Sequence, residues 1–284
     1  MNDKKPFSIL NGLKGLTIGM ANIVPGVSGG TLAVITGIYD ELVDAFGNFV
    51  KGDWKRNTAF LTPVIAGVLL GNSVFARIIG LLFETAPAAT NFGFMGLILG
   101  SLPYIVKHSG IRRFEWRYLL LFIAGFAIVL AMGLASRPDK TAPLTELTLL
   151  SCMFIFGAAF LASAAMVIPG ISGSFLLLLI GMYTTLQHGF STVNIPVILL
   201  FTVGTISGVI LISKAISALL KRFHRSVYAA ITGLIIGSAV ALYPGSQPAS
   251  LMIINWVAFL VGLSLSLLLG TNMKERLRRI RNKQ

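Results

Sequence analysis

Residues 21–30 read ANIVPGVSGG and residues 165–174 read AMVIPGISGS. Each puts Pro-Gly-aliphatic-Ser-Gly inside an apolar run, where proline costs a helix interior about 3 kcal/mol and glycine about 1 kcal/mol relative to alanine. A helix that restarts at Ser28 leaves the amides of Gly29, Gly30 and Thr31 without intrahelical partners, and Ser28 suits the N-cap. A restart at Ser172 does the same for Gly173 and Ser174. Glycine admits a ligand close to the backbone, and a helix start carries about half a positive charge. The chemistry on offer is capture of an anion such as phosphate or carboxylate. Plain capping of two buried helices is the competing reading.

Other polar residues bear on that choice. Arg77 and Lys214 each interrupt an apolar segment, at a cost of at least about 2.5–3.5 kcal/mol if unpaired. They either balance the charge of a bound anion or snorkel to the nearby interface. Asn22 stands one turn before the first break and is expected to touch the ligand. Asp40 and Glu41, followed by Asp44, lie after the first hairpin, as a solvated cluster or as groups for proton coupling and gating. His108, His188 and His224 fall at segment ends and read as interfacial. GVSG and GISG also resemble the G-x-S-G motif of rhomboid intramembrane proteases. A serine nucleophile needs a base within reach, and no histidine lies inside an apolar segment. An intramembrane hydrolase is therefore the minor alternative, and no enzyme activity is expected.

These residues need a membrane protein to position them. The chain has 284 residues, 55% hydrophobic and 12% charged, where soluble domains carry about 25% charged residues. A net charge of +13 would suit nucleic acid. The basic residues, however, gather in short loops and at both ends, as an anionic membrane surface and the positive-inside rule require, so no nucleic-acid partner is expected. One cysteine, Cys152, excludes an internal disulfide and a cysteine metal cluster, and neither metal nor cofactor is expected. No cleavable signal peptide is apparent, since Lys14 interrupts the first apolar stretch.

The chain reads as one unit written twice. A shift of 144 pairs Pro25, Gly26, Ser28, Gly29, Gly37 and Tyr39 with Pro169, Gly170, Ser172, Gly173, Gly181 and Tyr183. A shift of 137 then pairs Gly67, Gly71, Arg77 and Gly96 with Gly204, Gly208, Lys214 and Gly233. Trp116 and Trp256 each open a last apolar stretch. Such order decides architecture before any motif does. The halves are 1–138 and 139–284, each a Pro-Gly-broken hairpin (about 8–46 and 146–187) followed by three apolar segments. Those segments are 59–83, 92–106 and 118–135 in the first half, and 196–220, 228–243 and 251–270 in the second.

The loops 107–117 and 221–226, the start NDKK, the loop KGDWKRN and the tail KERLRRIRNKQ are basic, whereas 84–91, 188–194 and 244–250 carry no lysine or arginine. With the basic loops in the cytoplasm the single segments alternate, and both termini are cytoplasmic. The two hairpins then enter from opposite sides. The expectation is an all-α polytopic protein of the cytoplasmic membrane with an inverted-topology repeat. Each half holds a re-entrant hairpin and three transmembrane helices. Broken helices facing one another at mid-membrane are a transporter arrangement.

The blocks GMANIVPGVSGGTLAVITGIYD and VIPGISGSFLLLLIGMY, and nearly the whole chain with them, resemble the bacterial and archaeal polyprenyl-phosphate transporters, a family formerly listed as a domain of unknown function. The resemblance implies a substrate that composition and spacing do not name: undecaprenyl phosphate, returned from the outer to the inner leaflet for cell-envelope glycan synthesis. The partner is then a polyprenyl phosphate lipid in a bilayer, with self-association of the chain an open matter. A carrier of a small soluble anion, using the same two breaks, is the alternative.

Overall fold

The computed structural model describes residues 8–23, 27–49, 52–113, 115–135, 142–144 and 146–281, with side chains to 268. Pro25 and Gly26 of the first break, the start NDKK, and the stretch 136–141 where the two halves join fall outside the described residues. All regular structure among them is helical, in the order α1 (Ile9–Asn22), α2 (Gly29–Ile35), α3 (Tyr39–Gly47), α4 (Trp54–Thr85), α5 (Pro87–Leu99), α6 (Leu102–Ser109), α7 (Trp116–Ala135), α8 (Leu149–Val167), α9 (Gly173–Ile180), α10 (Tyr183–Ser191), α11 (Ile195–Ala241) and α12 (Ala249–Arg281). Six stretches are long and apolar enough to cross a membrane: α4, α5 with α6, α7, α8, α11, and α12 to Leu268. Their outward faces carry large apolar side chains, Leu134 at 89% and Leu149 at 81% exposed among them, which only a lipid solvent accommodates at this density.

The helices meet where glycines let backbones touch. A Cβ on Gly67 of α4 would stand 2.0 Å from the carbonyl oxygen of Gly12 in α1, and one on Gly204 of α11 2.6 Å from that of Phe156 in α8. The two contacts correspond under the shifts read from the sequence, 137 for the glycines and 144 for their partners. A second pair crosses between halves: Gly96 of α5 lies against the Phe259 carbonyl of α12, and Gly233 of α11 against the Phe122 carbonyl of α7, where an added Cβ would stand 2.0 Å from each oxygen. Both of its members are shifted by 137. On that register Trp256 corresponds to Leu119 rather than to Trp116, and it sits two turns inside α12 instead of opening it.

Every residue of α2 is buried, and the main core, with side chains from α1 to α6 and α11, is built around it. A helix apolar all round belongs inside a bundle. Both short helices after the breaks end alike. Gly37 (φ 68°) and Gly181 (φ 76°) take the left-handed conformation. Ile38 N bonds Ala33 O at 3.0 Å, and Met182 N bonds Leu177 O at 2.9 Å. This is the glycine cap that satisfies the last carbonyls of a helix.

The sequence predicts separate segments at 196–220 and 228–243, but helical hydrogen bonding runs through the basic stretch between them to give α11, 47 residues long. At 1.5 Å per residue a straight helix of that length would reach about 70 Å, more than twice a bilayer core. Phe223, at φ −132° and ψ 41°, breaks it into two arms.

Candidate functional site

The two breaks touch. Ser28, extended at φ −98° and ψ 134°, caps α2, its Oγ accepting from Gly30 N at 3.2 Å. The same hydroxyl reaches the second break, with the Ile168 carbonyl at 3.3 Å and the Met166 carbonyl at 3.5 Å. Thr31 Oγ1 accepts from Gly170 N at 2.9 Å. A Cβ on Gly30 would stand 3.1 Å from the Val167 carbonyl and 3.2 Å from Pro169 N, so glycine is what allows this approach. Gly29 leaves room for Asn22, whose Oδ1 lies 2.3 Å from where a Cβ would be.

Ser172 departs from expectation. It holds the N-cap position of α9 but makes no capping bond, and its hydroxyl pairs with Ser174 Oγ at 3.0 Å. Its backbone is extended like that of Ser28 (φ −93°, ψ 125°), so the difference lies in the side chain, which turns to Ser174 instead of to the first-turn amides. The breaks also differ in access: Ser28 and Thr31 are at most 2% exposed, Ser172 is 8% exposed, and Ser174 lies open.

Arg77 and Lys214 stand elsewhere. Arg77 is exposed on α4 among exposed Val74, Ile78 and Leu81. Lys214 is exposed on α11, its backbone packed against Gly47 of α3. The structure thus brings Asn22, Ser28, Gly29, Gly30 and Thr31 to the segment leading into Ser172, Gly173 and Ser174, with both cations on outward faces.

Asp40 and Glu41 open α3, and Asp40 anchors a network that sequence reasoning missed. Tyr228 of α11 donates to Asp40 Oδ1 at 2.8 Å, and His108 Nε2 of α6 lies 3.5 Å from Oδ2. His224 Nε2 sits 3.0 Å from the His108 carbonyl. The His108 ring stacks on Tyr104 at 5.6 Å, and the His224 ring lies 4.6 Å from that of Tyr228. Burial pushes the Asp40 carboxyl up, but the hydrogen bonds from His108 and Tyr228, with the nearby imidazole charges, outweigh it and hold the group below its usual value. One turn on, Asp44 accepts from Ser217 at 2.7 Å and from Lys221. His108 and His224 therefore meet beside the α11 bend, in addition to lying at segment ends. Their separation in the chain hid this, although their common place at segment ends was a clue.

The chain matches the sequence profile of the undecaprenyl phosphate translocase-like family over residues 18–258, a stretch that takes in both breaks, the Asp40 network and the start of α12. It belongs to that family. Among curated relatives it is 37% identical over 275 residues to the polyprenyl-phosphate transporter of Staphylococcus aureus (strain NCTC 8325 / PS 47), covering 93% of this chain and 96% of that one. It is 34% identical over 251 residues to the polyprenyl-phosphate transporter of Vibrio cholerae serotype O1 (strain ATCC 39315 / El Tor Inaba N16961), covering 84% and 78%. No solved structure matches. The family description and both curated relatives name a translocase or transporter, not an enzyme.

Proposed function

We propose that this chain carries polyprenyl phosphate, undecaprenyl phosphate in the first place, from the outer to the inner leaflet of the cytoplasmic membrane. The halves 1–138 and 139–284 form an inverted repeat with two re-entrant hairpins, and rocking of one half against the other alternates access. The repeated glycine contacts and the matching caps at Gly37 and Gly181 support that symmetry. The observation that carries the mechanism is the bond between Thr31 Oγ1 and Gly170 N, with Ser28 reaching Ile168 beside it. Two backbone breaks held by single weak bonds are separable, and parting them frees a hydroxyl, an amide and the first-turn donors of α2 and α9 for a phosphate. A bare phosphate at mid-membrane would face a desolvation cost of many kcal/mol, which these donors offset.

The state described has the first break shut and the second ajar, with Ser172 and Ser174 facing the head group first. Asn22 and Gly29 shape the wall beside Ser28. The prenyl tail stays in lipid, and Arg77 and Lys214, exposed away from the breaks, balance the head group's charge as it approaches and leaves rather than between the breaks. Asp40 gates the movement through its hold on α6 and α11, with Glu41 next to it on the first turn of α3.

Translocation of labelled polyprenyl phosphate in proteoliposomes, with and without a proton gradient, tests the reading. Flux should resist excess inorganic phosphate. Competition at equal concentration would favour the soluble-anion carrier instead.

A further inference from the structure

The loop between α6 and α7 and the bend of α11 border a half-open cavity of about 360 Å³ lined by Arg112, Arg113, Glu115, Tyr118 and Arg225. Gly110, left-handed at φ 67°, ends α6 and turns the chain into this loop. Glu115 is held by Arg117, Nε to Oε2 at 2.6 Å. Arg117 also donates to the Tyr118 hydroxyl at 3.1 Å and lies over its ring. Among the described residues no carboxylate pairs with Arg112, Arg113 or Arg225. With Arg117 and Glu115 counted, the cavity carries a net charge of about +3, drawn from two stretches far apart in the chain.

Solvated arginines at a membrane surface follow from topology alone. This group differs because three guanidiniums, unpaired among the described residues, line one half-open pocket beside the paired Arg117, Glu115 and Tyr118. The space equals on the order of ten water molecules of liquid, enough for a phosphate group and part of its hydration. A guanidinium presents planar paired donors suited to phosphate oxygens, and a phosphate monoester carries about −1.5 to −2 at neutral pH. The loop also joins two membrane-crossing stretches, Pro87–Ser109 and Trp116–Ala135, so the cavity opens at the level where lipid head groups lie.

We propose that this cavity is a second phosphate-monoester site, separate from the two breaks, which holds the head group of a prenyl phosphate at the membrane surface as it joins or leaves the leaflet. The identity of the lipid rests on the transport reading above; the preference for a monoester rests on the arginines.

Hydrogen exchange of the purified full chain in neutral detergent tests it, with farnesyl phosphate, inorganic phosphate and phosphatidylglycerol as probes. Farnesyl phosphate should protect amides of 110–118 and 222–228, and the triple variant Arg112→Gln, Arg113→Gln, Arg225→Gln should need about tenfold more of it. Equal protection by inorganic phosphate would keep the site and assign recognition to the phosphate alone. Equal protection by phosphatidylglycerol, a singly charged diester, would overturn the proposal, as would no protection or full protection in the triple variant. Ser172→Ala, placed at the breaks, should leave this protection intact. If that variant also transports at the full rate, the reading of the breaks fails while this site stands.

Discussion

Ser28 and Ser172 occupy matching places in the chain and do different work. Ser28 caps α2 and ties it to Ile168, whereas Ser172 bonds Ser174 and caps nothing. Ser28→Ala should cost about 0.5–2 kcal/mol of stability, read as a lower melting temperature in detergent, and Ser172→Ala should leave melting almost unchanged while lowering flux. Equal destabilisation by the two would contradict this assignment. Asp40 makes a pH prediction. Its carboxyl titrates lower in the folded chain than in the unfolded one, so its contribution to stability is complete above the unfolded value of about 4 and is lost as pH falls through the folded value. Thermal melts at falling pH should show the wild type losing more stability than Asp40→Asn below about pH 4. Parallel curves would remove Asp40 as the source. Ser28 as a cap was legible in the sequence because capping is local chemistry. The Thr31–Gly170 bond was not, since it joins residues 139 apart, and neither was the meeting of His108 and His224 with Asp40.

At the scale of helices, the contacts of Gly67 with α1 and of Gly204 with α8 hold the corresponding pairs together. Alanine at either place drives a Cβ against a carbonyl oxygen, at 2.0 Å and 2.6 Å, and the backbones must part. Overpacking of this kind costs about 1–3 kcal/mol, so Gly67→Ala and Gly204→Ala should each lower the melting temperature, Gly67→Ala the more. Unchanged melting in both would show that these helices are free to separate. The pairing of Gly67 with Gly204 was visible in the sequence as a repeated shift, and so were the apolar stretches, because lipid demands long runs of apolar residues. The continuity of α11 was not. KRFHRS reads as a loop by charge, yet lysine and arginine are good helix formers, and only the dihedrals of Phe223 reveal the bend. The split of each return arm into α2 with α3 and α9 with α10 was hidden for a related reason. Gly37 and Gly181 were noticed as a pair, but only a left-handed φ makes either one a helix end.

For the whole molecule, the mechanism proposed from the meeting of the two breaks is that the head group crosses where they part. A chain with Cys152→Ser, Ser28→Cys and Ile168→Cys offers one thiol in place of the Ser28 hydroxyl and a second on the side chain of residue 168, whose backbone carbonyl lies 3.3 Å from that hydroxyl. Flux of labelled polyprenyl phosphate would be measured in proteoliposomes before bridging, after bridging with a short thiol cross-linker, and, for a reducible bridge, after reduction. The account predicts that bridging stops transport and that reduction restores it. Transport by the bridged chain at the unbridged rate would contradict it, because the breaks would then never need to open.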